Sequence, residues 1–437
     1  MSTKIIFSLG LAVLASLPTL IAQPSFTPEP GFKPLFDGKT LAGWKLMNKS
    51  GTGYEVRDGM IICPKEGGGN LFTEKEYANF IYRFEFKLSE GANNGIGIRA
   101  PLEGDAAYMG MEVQVLDNTS PQYANLRPDQ YHGSIYGAVA AKRGALKKTG
   151  EWNSQEIMAN GRNVKVTLNG KVIVDADLND VRDLAALRDH PGLLREKGHI
   201  GFLGHNAYVE FRNLRINELA ETPAKDNVPP AGFKALFNGK DLTGWKGLVA
   251  DPVKRAKMST DELKAAQATA DQRMRDHWHP TEGALVFNGK GDNLCTIKDY
   301  ADFEMYVDWK ITEKGDSGIY LRGSPQVQIW DMTDTRPNPK ALGSGGLYNN
   351  QKNPSGPLVN ADNPVGQWNR FRILMTGEKV TIYLNGKLVV NNTTLENYWD
   401  RAIPIYSSGA IELQNHGNTL WFKNVYVREI LTRTAAQ

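Results

Sequence analysis

GFKPLFDGKTLAGWK occupies residues 31–45 and returns as GFKALFNGKDLTGWK at 232–246, with 11 of 15 positions identical. A match that dense marks an internal duplication. Working outward, further pairs follow in the same order: YANF (77–80) with YADF (300–303), NGIGIR (94–99) with SGIYLR (317–322), EVQVLD (112–117) with QVQIWD (326–331), and GSIYG (133–137) with GGLYN (345–349). EWN (151–153) then pairs with QWN (367–369), LNGK (168–171) with LNGK (384–387), and VEFRN (209–213) with LWFKN (420–424). The chain therefore reads as two copies of one domain, 31–218 and 232–430. The Pro-rich polar stretch within 219–231 links them.

Each copy has the pattern of a sheet protein. Tyr82, Phe84, Phe86 and Leu88 alternate with Arg83, Glu85 and Lys87, and Met305, Val307, Trp309 and Ile311 alternate with Tyr306, Asp308 and Lys310. Period-two alternation makes half-buried strands. VKVTLNGKVIV (164–174) and VTIYLNGKLVV (380–390) set Asn-Gly between apolar runs, the signal of a tight hairpin whose turn needs positive φ at both central residues. Many short strands and almost no amphipathic helix predict an all-β fold, a sandwich or jelly roll in each copy. The exception is 251–276, a polar, Ala-rich stretch that reads as a solvated helical insertion in the second copy, a lid or, by its composition, a spacer.

Composition narrows the function. The 437 residues carry a formal net charge of only +3, too small and too evenly spread to form a polyanion-binding surface, so nucleic acid is excluded as a partner. Two cysteines, Cys63 and Cys295, fall at non-matching positions of the repeat and read as buried free thiols. Residues 1–22 combine Lys4, an apolar run and a small residue at Ala22, the pattern of a secretory signal peptide. Export to the periplasm or the extracellular space of a bacterium is expected, with no integral membrane span left after cleavage.

Alternation also locates a candidate site, because residues i and i+2 share a face. With Val113 and Val115 inward, Glu112 and Gln114 face away from the core; their equivalents are Gln326 and Gln328, joined by Trp330. The same rule brings Arg99 to that face in copy 1, and Tyr320 with Arg322 in copy 2. It groups His132 and Tyr136 around Ile135, and Tyr348 beside Leu347. On the last strand it selects Glu412, Gln414 and His416 in copy 2, and His205 of copy 1 matches His416. A face of Gln, Arg, Tyr and His, with Trp330 and Trp399 available for stacking, suits a hydroxyl-rich ligand.

Other chemistries lack support. His277 and His279 form the one close His pair but bring no third metal ligand, and there is no P-loop, no G-x-S-x-G and no G-x-G-x-x-G after a strand. A retaining glycosidase needs two carboxylates on one face. Asp117 alternates away from Glu112, and copy 2 has Gln326 in its place.

Taken together, LFDGKTLAGW/LFNGKDLTGW, NGIGIR/SGIYLR, EVQVLD/QVQIWD, GSIYG/GGLYN, EWN/QWN, LNGK and VEFRN/LWFKN resemble the domain of unknown function 1080 family, described as 3-keto-disaccharide hydrolases or 3-keto-glucoside 1,2-lyase/hydratases. The resemblance implies a concanavalin A-like jelly roll in each copy, secretion, and action on glycosides oxidised at C3. A C3 ketone acidifies the C2 proton, so one base, oxyanion donors and a leaving-group acid are sufficient. In copy 1 the candidates are His132 or His205 as base, Arg99 and Gln114 as enolate donors, and Glu112 or Tyr136 as acid. In copy 2, His416 and Glu412 are candidates for acid and base, with Arg322, Gln328 and Tyr348 as donors, while Tyr320, Trp330 and Gln414 complete the sugar-binding face. A divalent cation is a further means of holding the enolate. The competing expectation is a non-catalytic, lectin-like carbohydrate-binding protein, and a structural surface protein is the third.

Overall fold

A computed structural model describes residues 27–220, 224–334 and 342–430; the expected signal peptide, 1–22, lies outside them. Each copy is an antiparallel β-sandwich of an eight-stranded outer sheet and a five-stranded inner sheet, and the two form tandem jelly rolls. In copy 1 the inner strands are β1 (Trp44–Ser50), β2 (Gly68–Thr73), β3 (Asn93–Ala100), β4 (Met111–Leu116) and β5 (His199–Gly204), in the order β1-β2-β5-β3-β4. In copy 2 they are β6 (Trp245–Gly247), β7 (Leu294–Thr296), β8 (Asp316–Leu321), β9 (Ser324–Trp330) and β10 (Glu412–Leu413), in the corresponding order β6-β7-β10-β8-β9.

The alternation explains the layers. Phe80, Tyr82, Phe84 and Phe86 of the outer sheet meet Ile96, Ile98, Val113 and Val115 of the inner sheet in one core, and Met305, Val307 and Trp309 meet Ile319, Leu321, Val327 and Ile329 in the other. Asn169 and Asn385 take positive φ, 50° in each, at the two Asn-Gly hairpin turns. Both cysteines are buried and free.

Helix is sparse. Besides short turns there are α1 (Ala106–Met109), α2 (Pro252–Arg255) and α3 (Thr260–His277), with one further short helix, Leu184–Asp189, in copy 1, and no helix among the described residues is long and apolar enough to cross a membrane. α3 starts at a capping box: the Ser259 hydroxyl accepts from the Glu262 amide, and the Glu262 carboxylate takes the Ser259 amide.

The copies share an interface. Leu374, Tyr383 and Ile430 of copy 2 join the core of copy 1, and Tyr383 Oη donates to Pro191 O at 2.9 Å. At its centre Glu304, fully buried, lies between Arg372 (2.6 Å) and Arg428, which also donates to Asn179 O of copy 1 at 2.8 Å. Burial pushes the Glu304 carboxyl up, but the charges of Arg372, Arg428 and Arg162 outweigh it and hold it at about 2.

Because removing one partner of a buried ion pair leaves its charge uncompensated, Glu304→Gln is expected to cost about 3–5 kcal/mol of stability at neutral pH, read by denaturant unfolding. Glu304's folded pKa lies below its ordinary 4.5, so its contribution is complete above that value and is lost as pH falls toward about 2. The Gln variant should have a flatter acid-unfolding profile over that window; an unchanged profile would disprove the assignment.

Candidate functional site

The inner sheet's outward face carries the candidate site in each copy, and strand register assigns it row by row. In copy 1 one row runs Lys45, Phe72, Gly201, Gly97, Glu112 from β1 to β4, and the next Met47, Asn70, Leu203, Gly95, Gln114. In copy 2 the corresponding row runs Lys246, Cys295, Glu412, Tyr320 from β6 to β8, and Gly318 pairs with Gln328 in the next. The two copies thus keep their carboxyl at different points of one face: Glu112 projects from the edge strand β4, whereas Glu412 rises from the central strand β10, where copy 1 has Gly201.

In copy 1 Glu112 leans over glycine. A Cβ on Gly95 would lie 1.9 Å from Glu112 Oε1, and that oxygen is buried without a hydrogen-bond partner. Burial, reinforced by the charge of Asp105, pushes the Glu112 carboxyl up to about 8. Asp105 also acts on His205, which follows β5 with an exposed edge; the protein around the ring lowers its pKa by desolvation and Asp105 opposes the shift. Tyr136 accepts a hydrogen bond from Gln130 Nε2 (2.9 Å) and meets Tyr108 edge to face at 6.3 Å, while Tyr108 stacks on His190 at 4.5 Å. Phe72, Leu203, Leu102 and Met47 pack into an apolar patch on this face.

In copy 2 the face is a connected polar network. Gln414 Nε2 donates to Tyr320 Oη (3.1 Å), Gln326 donates to Gln328, Gln328 Nε2 donates to Asp316 Oδ1 (2.9 Å), and His416 Nδ1 lies 3.5 Å from Asp316 Oδ2. Glu412, 1% exposed, accepts from Asn293 Nδ2 at 3.3 Å. Burial pushes its carboxyl up to about 7, restrained by Asn293 and by the charges of Arg255 and Lys246. Desolvation, with Glu412 adding to it, raises the Tyr320 phenol to about 12 and keeps it a neutral donor. Trp330 and Tyr348 meet edge to face at 5.7 Å at the end of this row.

The insertion is no spacer. Asp271 of α3 accepts from the Gly247 amide (3.0 Å), Gln267 donates to Gly247 O (2.9 Å), and Ala270 and Met274 are buried. The close approach requires glycine, since a Cβ on Gly247 would lie 2.1 Å from Ala270 O. The helices roof a cavity of about 990 Å³ over β6 and β7, with Lys246, Arg255, Cys295 and Gly323 among its lining. Trp399 is tied to the same wall, its Nε1 donating to Gly323 O at 2.7 Å.

Three expected residues are not on the face. Arg99 and Arg322 take positive φ (49° and 55°), which breaks the alternation at the end of β3 and β8. The Arg99 guanidinium bonds Ala78 O (2.9 Å) and Gly161 O (2.8 Å), and that of Arg322 bonds Ala301 O (2.7 Å) and Asp302 (2.8 Å), so both bind loops together. His132 lies in a turn, where period two does not apply. It stacks on Phe86 in the core at 5.2 Å, accepts from the Leu116 amide at Nδ1 (3.2 Å) and bonds Gln155 at Nε2 (3.1 Å), and burial lowers its pKa to about 4. Conversely, alternation from Tyr320 would have reached Asp316, and the recurring Asn-Leu pair (Asn70, Asn293) marks Asn293. Lys246 recurs as well, as Lys45 at the end of the opening repeat, whereas Asp105, Tyr108, His190 and Arg255 came with no such signal. Among the described residues, no three His, Cys, Asp or Glu side chains converge to hold a metal ion.

The profile of the 3-keto-alpha-glucoside-1,2-lyase-like domain matches residues 31–217 and again 232–428. The chain belongs to this family, twice over. A 3-keto-disaccharide hydrolase of Bacteroides thetaiotaomicron is 28% identical over 228 residues, 43% of this chain and 79% of the relative. A crystallised Parabacteroides distasonis protein is 28% identical, covering 43% of this chain and 99% of its own, with a TM-score of 0.38. A carbohydrate-binding module of Bacillus subtilis is 13% identical, covering 40% of this chain and 96% of its own, with a TM-score of 0.27. Within this lyase-like family fold, the two copies present unlike site chemistry on the same five strands.

Adding one methyl at Gly95 must displace the Glu112 carboxyl, whereas a Cβ on Gly318 of copy 2 would meet Gln326 side-chain carbons at 3.1 Å, a contact that small shifts relieve. Gly95→Ala is expected to cost about 1–3 kcal/mol and Gly318→Ala less, as measured by denaturant unfolding. Equal costs would refute the packing of Glu112 over β3.

Proposed function

We propose that the chain is an exported enzyme that cleaves 3-keto-glycosides by C2 proton abstraction, β-elimination and hydration, and that copy 2 performs the chemistry. The observation that supports this most is the pKa of Glu412, about 7, in a face of neutral donors. A group near the working pH is available both to take and to return a proton. Glu112, at about 8, is mostly protonated at neutral pH and suited to donating a hydrogen bond.

In this reading Glu412 takes the C2 proton of the 3-keto sugar, and the C–H electrons form the C2–C3 enolate. The Tyr320 phenol, which accepts from Gln414, donates to a sugar oxygen and stabilises the developing charge. The C3 carbonyl re-forms as the C1–O bond breaks, and the departing oxygen takes a proton from the neutral Glu412 carboxyl. Water then adds at C1 and a proton returns to C2, so the sum is hydrolysis. His416, beside Asp316, is the second acid–base candidate at the rim, and Trp330 with Tyr348 offers a stacking edge.

A second reading concerns copy 1 alone. The apolar patch around Phe72 and Leu203, next to Glu112 and Gln114, has the make-up of a carbohydrate-binding face, with Tyr136 and His205 at its margins. Copy 1 then holds sugar without turning it over.

The test is hydrolysis of a 3-keto-disaccharide in D2O. Elimination places deuterium at C2 of the released 3-keto sugar, read by mass spectrometry, and direct hydrolysis does not. Glu412→Gln is expected to lower kcat by about 10²–10⁴-fold, and Glu112→Gln by far less. The base acts ionised, so kcat/KM should rise with pH through about 7. Lys246→Met, which removes a charge that lowers the Glu412 pKa, should move that limb to higher pH. Equal consumption of unoxidised disaccharides would defeat the proposal.

A further inference from the structure

The roofed cavity of copy 2 begins beside the candidate site: Lys246 and Cys295 line it, and Glu412 and Tyr320 continue their register row on the next two strands. At 4.7–4.9 Å per strand, Lys246 starts roughly 10 Å from Glu412, about one ring beyond the reacting carbons. One side of this space is apolar, formed by Leu248, Val249, Pro252, Ala256 and Leu263.

Its charges are uneven. Of the lining acids, Asp271 is engaged by the Gly247 amide and Gln267, and Asp299 stands at the exposed edge; of the cations, Arg322 is paired with Asp302. Arg255 donates to the carbonyls of Val249 (3.0 Å) and Ala250 (2.5 Å), and neither it nor Lys246 nor Lys264 makes an ion pair among the described residues, so the cations of the lining, Lys246, Arg255, Lys264 and Arg322, outnumber its acids, Asp271 and Asp299. The Cys295 thiol, pushed up to about 12 by burial and by Glu412, is a neutral part of the wall. Copy 1 has no equivalent: Phe72 occupies the position of Cys295, and no helical insertion follows its β1.

We propose that this cavity is the leaving-group subsite of copy 2 and selects aglycones that carry an anionic group on an apolar body. The proposal rests on the 3-keto-glycosidase reading above. A volume of about 990 Å³ admits such a group with room for water. Three cations set among apolar side chains favour a carboxylate at the far end of an aryl or alkyl chain over a second neutral sugar.

The test compares two 3-keto-glucosides whose phenols leave equally well, one with a 4-carboxymethylphenyl and the other with a 4-(2-hydroxyethyl)phenyl aglycone. The wild type should favour the acid by about tenfold in kcat/KM, a preference that narrows with added salt. In the Lys246→Met, Lys264→Gln double variant the ratio should fall toward one; taking a ratio cancels any effect on Glu412. Equal rates in the wild type, or a ratio unchanged in the variant, would overturn the subsite while leaving the glycosidase reading intact. If neither glucoside is turned over, the glycosidase reading fails and the leaving-group role with it. Calorimetry with 4-hydroxyphenylacetate then decides the rest: binding to the wild type but not the variant establishes an anion-binding cavity, and no binding overturns that too.

Discussion

In each copy the inner strands bury every second residue against the outer sheet: Ile96, Ile98, Val113 and Val115 in one, Ile319, Leu321, Val327 and Ile329 in the other. Each such side chain contributes about 1.5–3 kcal/mol by leaving water. A one-residue slip in any of these strands would forfeit several at once, so the register is fixed, and only the alternate positions are left to do chemistry. The candidate face is thus a by-product of the core.

Within that constraint the copies have diverged by moving one group. Copy 1 carries glycine at 95, 97 and 201, and the cleared space receives Glu112 from the edge strand. Copy 2 carries Tyr320 and Glu412 on the central strands and places helices over the cationic end of the row. Both carboxyls are raised by desolvation, but Asp105 adds to the shift in copy 1, whereas Lys246 and Arg255 oppose it in copy 2. The same buried group therefore comes to rest near neutrality in copy 2 and above it in copy 1, in keeping with the sign of its neighbours.

This also explains what was legible in the sequence. The duplication and the alternation carried the two sandwiches and the grouping of Glu112 with Gln114, of Gln326 with Gln328 and Trp330, and of Glu412 with Gln414. Alternation fails where the backbone leaves the strand: at Arg99 and Arg322, which turn through positive φ, and at His132, which sits in a turn. It also says nothing about what covers a face. The insertion reads as solvated because most of α3 is exposed, yet Ala270 and Met274 and two polar side chains attach it to a glycine that no periodicity singles out.

The Glu304 cluster bears on how such a chain can evolve. Arg372 and Arg428 reach from copy 2 into backbone carbonyls of copy 1, and the carboxylate between them is sealed from water by both. Either half alone would present this cluster, with Tyr383 and Leu374, to solvent. Loss of either copy would therefore leave these charges without the partner that buries them. A seam that lies away from the inner sheets leaves the face of each copy free to differ, as Gly201 and Glu412 do at one register position.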